Sequence, residues 1–323
     1  DTKDMLGPGL DFPDMFGASA PQTNNASMRN RGWELSLNYR GKIGDEIDYS
    51  VGGSLSDATA EVTEYANPTG TNPAGNWYEG RKVGEIWGYR ASGIIQTQQE
   101  ADEYNEKYDL SYLTGKAWEP GDVKYIDLNG DNAINRGDNN LKNMGDMTII
   151  GNTTPRYQYT FNGSISWKDL SLSVMFQGVG KRDWDPGTAP YFWGSGAYAQ
   201  VTVFKEHMDY WREDNKNAYY PKPYIHSAGG VGPFRNKTMQ SSDRYLQSGA
   251  YCRLKNITLS YNLPTAWTKK AGLQKVQVFF SGENLLTFTS LKGMFDPEAI
   301  FTSNSYTGEG GKNYPMNKVV SFG

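Results

Sequence analysis

The sequence is poor in the residues on which many enzymes and disulfide-stabilised proteins depend. Its 323 residues include one cysteine, Cys252, and two histidines, His207 and His226. A single cysteine excludes an internal disulfide framework. No HExxH motif and no GxSxG nucleophile elbow occurs, although spacing alone does not exclude a Ser/His/Asp triad. We therefore predict no enzymatic activity and expect both histidines to be surface or packing residues.

Long hydrophobic runs and an excess of positive charge are also absent. No run of about 18 apolar residues occurs, which excludes a transmembrane helix. The formal net charge is −4, without a basic patch, so nucleic acid is not an expected partner. Hydrophobic residues make up only 37% of the chain, but a β-barrel needs an apolar side chain only at every second position. Aromatic residues reach 14%, and barrels place such residues in girdles at the membrane interfaces.

Alternating apolar and polar residues predict long strands that come in pairs. The expected strands are 33–40, 47–56, 156–167, 170–181, 250–262, 275–288 and a last one from about 315. Short turns join the members of a pair, at 41–46, 168–169 and 263–274. Long connections separate the pairs, at 57–155, 182–249 and 289–313. This alternation is typical of bacterial outer-membrane barrels, which have short periplasmic turns and longer extracellular loops.

Strand length and the polar face favour the same interpretation. Most of the segments are long enough to approach the roughly 9–11 residues that cross a bilayer at a tilt. The polar positions are mostly small and uncharged, as in a crowded lumen; we expect the wall to include Asn38, Ser54, Thr160, Asn162, Ser164, Asn256, Thr258 and Ser260. The aromatic residues expected near the short turns are Tyr39, Tyr49, Trp167, Tyr261 and Trp267. The sequence therefore predicts an all-β chain that supplies strands to a large antiparallel transmembrane barrel.

A twelve-residue acidic segment, Asp127–Asp138, has the spacing of a calcium loop. Oxygen-bearing side chains occupy positions 1, 3, 5, 9 and 12, as in EF-hand loops, and a backbone carbonyl is available at position 7. The candidate ligands are Asp127, Asn129, Asp131, Ala133, Asn135 and Asp138. Two departures are Asn132 in place of glycine and the shorter Asp138 in place of glutamate. We expect Ile134 to anchor the loop; the alternative is a metal-free turn.

Aromatic residues in the long connections are candidates for ligand binding. Exposed aromatic rings can stack on sugars or dock a partner protein. The candidates are Trp118, Tyr191, Trp193, Tyr219 and Tyr220, and their alternative role is to pack the connections together. Carboxylate pairs such as Glu206 with Asp209 would suit a glycosidase. In a chain with 36 acidic residues, solvated loop charges explain such pairs better.

Five segments, in order along the chain, resemble the SusC/RagA family of TonB-dependent outer-membrane transporters. They are Met28–Leu35 (MRNRGWEL), Gly121–Asp127 (GDVKYID), Trp211–Pro221, Tyr245–Pro264 (YLQSGAYCRLKNITLSYNLP) and Phe280–Phe288 (FSGENLLTF). The resemblance implies a plugged barrel of roughly 22 strands, of which this chain supplies about the last seven. It also implies a SusD-like lid lipoprotein and import driven by the TonB complex acting on a plug domain, which this chain lacks.

The expectations that follow concern the whole transporter and its partners. We expect the chain, 1–323, to be part of a SusC-like importer of oligosaccharides or, less favoured, peptides, in the outer membrane of a Bacteroidota-type bacterium. Its partners would be the remaining barrel strands and plug, the lid, membrane lipid and the ligand. A partial barrel leaves two open edges, so the chain would be a split subunit or a fragment. The alternatives are a secreted calcium-binding carbohydrate-binding or adhesion module and a surface glycosidase.

Overall fold

The computed structural model describes residues 1–7, 21–187, 189–194, 203–224, 237–291, 293–300 and 314–323. Within these ranges the strands are β1 (Thr2–Gly7), β2 (Thr23–Ile43), β3 (Ile47–Glu64), β4 (Glu85–Tyr89), β5 (Ala91–Ile94), β6 (Val123–Tyr125), β7 (Met147–Asn152), β8 (Arg156–Trp167), β9 (Leu170–Lys181), β10 (Asp183–Trp184), β11 (Gln247–Ser248), β12 (Tyr251–Asn262), β13 (Gln277–Thr289) and β14 (Val319–Phe322). The helices are α1 (Gln98–Lys107), α2 (Pro190–Trp193) and α3 (Thr265–Thr268). No helix in these ranges has the length and apolar character needed to span a membrane.

One antiparallel sheet of eight strands forms the frame, in the order β1-β2-β3-β8-β9-β12-β13-β14. The predicted all-β, antiparallel class is confirmed. The sheet is open, because β1 and β14 are its two edges and do not pair with each other. Three small two-stranded sheets, β4–β7, β5–β6 and β10–β11, belong to the long connections.

The sheet has eight strands in place of the predicted seven, and two strands are longer than expected. The added strand is β1, while β2 begins at Thr23 and β3 continues to Glu64. The extra part of β2 reads TNNASMRNRG, which is polar on both faces. Alternation marks a strand only where one face is buried or meets lipid, so the sequence pattern does not show this part. The first long connection consequently begins after Glu64.

The two faces of the sheet differ sharply in polarity. One register row across six strands contains Leu37, Gly53, Phe161, Phe176, Leu254 and Leu286. A row on the opposite face contains Arg40, Ser50, Ser164, Ser173, Thr258 and Ser281. On the apolar face, large side chains such as Leu37, at 66% exposed, lack a covering layer among the described residues. We call these the apolar face and the polar face.

The buried core lies in the connections and not on the apolar face. Its main cluster joins aromatic and aliphatic side chains from all three long connections: Tyr89, Ile95, Tyr104, Trp118, Val123, Tyr125, Ile134, Phe192, Trp193, Tyr220, Tyr245, Leu291 and Phe295 are among them. The three predicted loop segments therefore fold together around one core. A cap at Thr97, whose hydroxyl accepts from the Glu100 N–H, starts helix α1 in the first long connection.

Candidate functional site

Hydroxyl and amide side chains cover the polar face of the sheet in continuous rows. All eight side chains expected in the lumen wall lie on this face by strand register. Neighbouring strands are linked by hydroxyl pairs, with Ser50 to Ser164 and Ser54 to Thr160 both 2.7 Å between oxygens. Hydroxyls both donate and accept, so these rows of side chains can form hydrogen bonds without contributing charge.

A charged network crosses the polar face at the end of the sheet nearest the long connections. The sequence pattern did not predict it. The Arg253 guanidinium lies 2.8 Å from Asp296 and 3.2 Å from Glu298, and Lys255 lies 2.9 Å from Glu298. A register shift between Leu254 and Asn256 places both cations beside segment 293–300. Burial acts to raise the pKa of Asp296, but the Glu298 N–H and Arg253 together hold it below its usual range. The network fixes segment 293–300 against β12.

Three of the five aromatic candidates are buried, which for these three favours the alternative role of packing over ligand binding. Trp118, Trp193 and Tyr220 are between 1% and 6% exposed and belong to the core of the connections. The indole N–H groups of the two tryptophans form hydrogen bonds within the protein. Trp118 donates to the Val123 carbonyl and Trp193 donates to the Gly187 carbonyl. Tyr219 packs against the same core. Only Tyr191 of the five is well exposed, at 37%. A ring enclosed in this way cannot stack on a sugar, so packing is the role that the structure supports.

A fully buried ion pair lies under these aromatic rings and was also missed. Lys237 Nζ is 2.9 Å from Asp122 Oδ2, and both side chains are inaccessible to solvent. Tyr224 donates its hydroxyl to the other oxygen of Asp122 at 2.6 Å. Burial raises the pKa of Asp122, against the opposing effects of Lys237 and Tyr224. The pair joins the first and second long connections over 115 residues of sequence.

The Asp127–Asp138 loop adopts several features of a cation-binding turn. Asp127 accepts the N–H groups of Gly130 and Asn132 at 2.6 and 3.0 Å, and Asp131 accepts that of Ala133 at 2.9 Å. Gly130 and Asn132 have φ of 78° and 60°, so asparagine does take the left-handed conformation required there. Ile134 is fully buried, as expected. Within the described residues, however, no three acidic, histidine or cysteine side chains are grouped closely enough to hold a metal ion.

Asp146, outside the twelve-residue pattern, holds this loop in place. Its carboxylate accepts the Leu128 N–H at 2.8 Å and the Asn135 N–H at 2.9 Å, and the residue is fully buried. Burial raises the pKa of Asp146, and the nearby Asp127 and Asp131 carboxylates raise it further. Asp138 accepts from Asn143 Nδ2 at 3.0 Å. The loop is thus a network of turns held by side-chain-to-backbone hydrogen bonds, with negative charge concentrated in its first half.

Two concave regions lie on or beside the sheet. An apolar depression of about 640 Å³ is centred on Gly52 and Gly53 and bordered by Leu35, Leu37 and Phe161. A polar cavity of about 550 Å³ lies where β3, β8 and β9 meet the small strands; its charged lining comprises Lys82, Glu85, Arg156, Lys181 and Asp183. His226 and part of the second long connection lie outside the described residues. His207 is a buried packing residue.

Comparison with known proteins identifies relatives of one functional class. No protein-family model matches the chain. TonB-dependent receptor P3 of Formosa agariphila is 29% identical over the whole chain, and TonB-dependent receptor P26 of the same organism is 24% identical. The chain spans 31% of the length of each. Solved structures of the RagAB peptide transporter match with TM-scores of 0.61 and 0.62 at 24% and 22% identity, covering 98% and 92% of this chain and 31% and 29% of theirs.

These matches confirm the resemblance to part of a SusC/RagA-type TonB-dependent transporter and the barrel class of the sheet. The relatives are receptors and the structural neighbours are transporters, in agreement with the prediction that the chain is not an enzyme.

Proposed function

We propose that this chain forms part of the barrel wall of a SusC-like importer that takes up oligosaccharides or peptides across the outer membrane. The observation that carries the proposal is the long-stranded sheet with one apolar face and one polar face rich in hydroxyl and amide side chains. The apolar face would meet lipid and the polar face the lumen. The similarity to a peptide transporter supports the peptide alternative, and a wall rich in hydroxyl and amide side chains suits either ligand class.

The contribution of this chain to import would be passive. Rows of Ser, Thr and Asn side chains would exchange hydrogen bonds with a moving ligand without trapping it by charge. The folded long connections would lie outside the cell, where a SusD-like lipoprotein would close the entrance. Energy would reach the transporter through a plug domain and the TonB complex. The Arg253–Asp296 network would hold segment 293–300 at the entrance of the lumen.

A matched pair of substitutions tests this assignment of faces and function. Ser164 and Ile165 are neighbours in β8 that point to opposite faces. In the intact transporter, we expect S164W to narrow the lumen and reduce uptake of labelled oligosaccharides or peptides, while I165W leaves uptake unchanged. Outer-membrane levels of both variants serve as the control. Equal uptake by both variants, or recovery of the wild-type protein in a soluble fraction, would contradict the proposal.

We also propose that the Asp127–Asp138 loop binds calcium. The support is the left-handed backbone at Gly130 and Asn132 together with the placement of the Asp127 and Asp131 carboxylates in one turn, where they accept the N–H groups of Gly130, Asn132 and Ala133. The candidate ligands fit best in the first half of the loop, where Asp127, Asn129, Asp131 and the Ala133 carbonyl are close in sequence. Asp138 would have to leave Asn143 to join them. Bound calcium would neutralise this cluster and stiffen the first long connection.

Calorimetric titration of the intact transporter with calcium tests the loop. We expect a binding isotherm and a rise in melting temperature for the wild type, because a ligand that binds only the folded state stabilises it. D131N should weaken binding at least tenfold, as it removes one charged ligand. D102N, which removes the same charge from helix α1, should bind as the wild type does. Wild-type protein that shows neither heat nor a thermal shift would exclude a calcium site.

A further inference from the structure

The turn between β12 and β13, residues 263–276, differs from the other short turns of the sheet. It contains helix α3 and then a 3-10 turn at Lys269–Ala271. The 3-10 turn is followed by Gly272, which has the left-handed conformation with φ of 75°. Two large apolar side chains project from it: Trp267 is 63% exposed and Leu273 is 51% exposed. A short connection has no need of such side chains for its own packing. Both side chains are therefore accessible to a surface beyond the described residues.

The charge of this turn is entirely positive. Residues 263–276 include Lys269, Lys270 and Lys275 and no acidic residue. Among the described residues, none of these three lysines has a carboxylate within ion-pair distance. By contrast, the neighbouring turns neutralise their lysines. Lys42 pairs with Asp48 at 3.2 Å and Lys168 with Glu46 at 3.1 Å. We call residues 263–276 the basic turn.

The basic turn continues the apolar face of the sheet. Tyr261, just before the turn, pairs in register with Val278 on β13 and with Leu170 on β9. Trp167, half exposed, is the register partner of Leu170 on β8. Aromatic and aliphatic side chains thus lead along the apolar face to its end, and ammonium groups follow directly beyond it. This order, apolar side chains then cations, matches the order of acyl chains and phosphates in a bilayer leaflet.

We propose that the basic turn binds the phosphate groups of anionic phospholipids in the periplasmic leaflet of the outer membrane. The inference rests on the proposed function, which places the short turns on the periplasmic side. Trp267 and Leu273 would enter the interface between headgroups and acyl chains. The three lysines would contact lipid phosphates. Each lysine near an anionic surface raises the affinity for that surface about fivefold. The basic turn would then fix the depth and tilt of this part of the barrel.

The test uses the intact transporter reconstituted in nanodiscs that contain equal amounts of phosphatidylcholine and phosphatidylglycerol. Native mass spectrometry measures which lipid remains bound. We expect phosphatidylglycerol to be enriched on the wild type, and the enrichment to fall strongly in the triple variant K269Q/K270Q/K275Q. The matched control K116Q/K142Q/K216Q removes the same charge from exposed lysines of the long connections and should keep the enrichment. Raised salt should reduce the wild-type enrichment as well.

The other possible results of this experiment would contradict either the lipid proposal or the proposed function. Equal enrichment in the wild type and the basic-turn variant, or equal loss in the control, would overturn the lipid proposal while leaving the barrel assignment intact. Unchanged lipid binding together with reduced uptake would assign the basic turn to an acidic periplasmic protein and would also overturn it. Failure of the wild type to insert into nanodiscs would instead contradict the proposed function.

Discussion

Single buried polar side chains hold the long connections together, and His207 shows how. The residue is 5% exposed, and its Nδ1 accepts the Phe204 N–H at 2.9 Å. Nε2 lies 2.9 Å from the Tyr191 carbonyl oxygen, so the neutral ring must carry its proton on Nε2 to donate there. Burial lowers the pKa of His207. The ring is therefore a neutral bridge between the Lys205–Met208 turn and helix α2.

Protonation of His207 should loosen this bridge. The folded state binds the proton less well than the unfolded chain, so the stabilising contribution is complete above about pH 6.5 and decreases as the pH falls below it. Protonated Nδ1 also cannot accept from Phe204. Hydrogen exchange corrected for intrinsic rates should show several-fold less protection of residues 203–208 at about pH 5.5 than at about pH 7.5. H207Q, which does not titrate, should show no such change; an equal change in H207Q would refute the prediction.

Residue-level chemistry was only partly readable from the sequence. The spacing of Asp127–Asp138 identified a turn-rich acidic loop, because its hydrogen bonds are local. Asp146 and the Asp122–Lys237 pair were missed, because a carboxylate in the sequence carries no sign of burial. Nothing in the local pattern of Asp122 indicates a lysine 115 residues away. The burial of three of the five aromatic candidates could not be predicted for the same reason: whether Trp118 is exposed depends on which segments fold over it.

At the scale of elements, the two faces of the strands differ in how well they tolerate a charged substitution. Phe161 and Asn162 are adjacent in β8, and their register partners on β3 are Gly53 and Gly52. Phe161 lies on the apolar face and Asn162 on the polar face. A lysine on the lipid side must leave water, whereas one in the lumen remains hydrated.

F161K and N162K should therefore differ in stability although they are neighbours. We expect F161K to lower the free energy of unfolding by about 2–4 kcal/mol if the site is near the bilayer midplane. N162K should cost much less. Denaturant titration of the intact transporter in lipid vesicles, followed by tryptophan fluorescence, measures both. A larger loss for N162K would reverse the assignment of the faces.

Element boundaries followed directly from alternation where the strand has one apolar face. β8 and β9 have the expected bounds, 156–167 and 170–181. The sequence pattern did not predict β1 or residues 23–32 of β2, since these segments are mostly polar or lack a regular alternation of apolar and polar residues. The β1–β2 pair contains register shifts that interrupt any regular pattern. Backbone pairing, and not side-chain periodicity, forms these segments.

At the scale of the whole molecule, the open sheet requires further strands. Counting the described residues alone, much of its apolar face is uncovered, and β2 beyond Met28 is paired on one side only, to β3. Unpaired backbone groups are costly in hydrocarbon, so a spanning sheet must close.

Expressed by itself, the segment 1–323 should not yield a soluble monomer. We expect it to require detergent or to aggregate through its apolar face and open edges. Size-exclusion chromatography with light scattering, with and without detergent, measures this. The intact transporter should run as a heat-modifiable species in detergent gels. A cooperative, detergent-free monomer of 1–323 would favour the secreted β-module instead.

The sequence by itself determined the class of the protein. Alternation of period two, uncharged polar positions and the order of short turns and long connections defined a two-faced sheet, because each of these signals is local in the chain. The tertiary structure decided which side chains outside the sheet are buried and which charged groups form ion pairs. It buried Trp118 and Tyr220 and tethered segment 293–300 through Arg253. Within the part of the chain that the structure describes, it also left the lysines of the basic turn without a carboxylate partner. These outcomes depend on contacts between segments distant in sequence, whose packing no local pattern specifies.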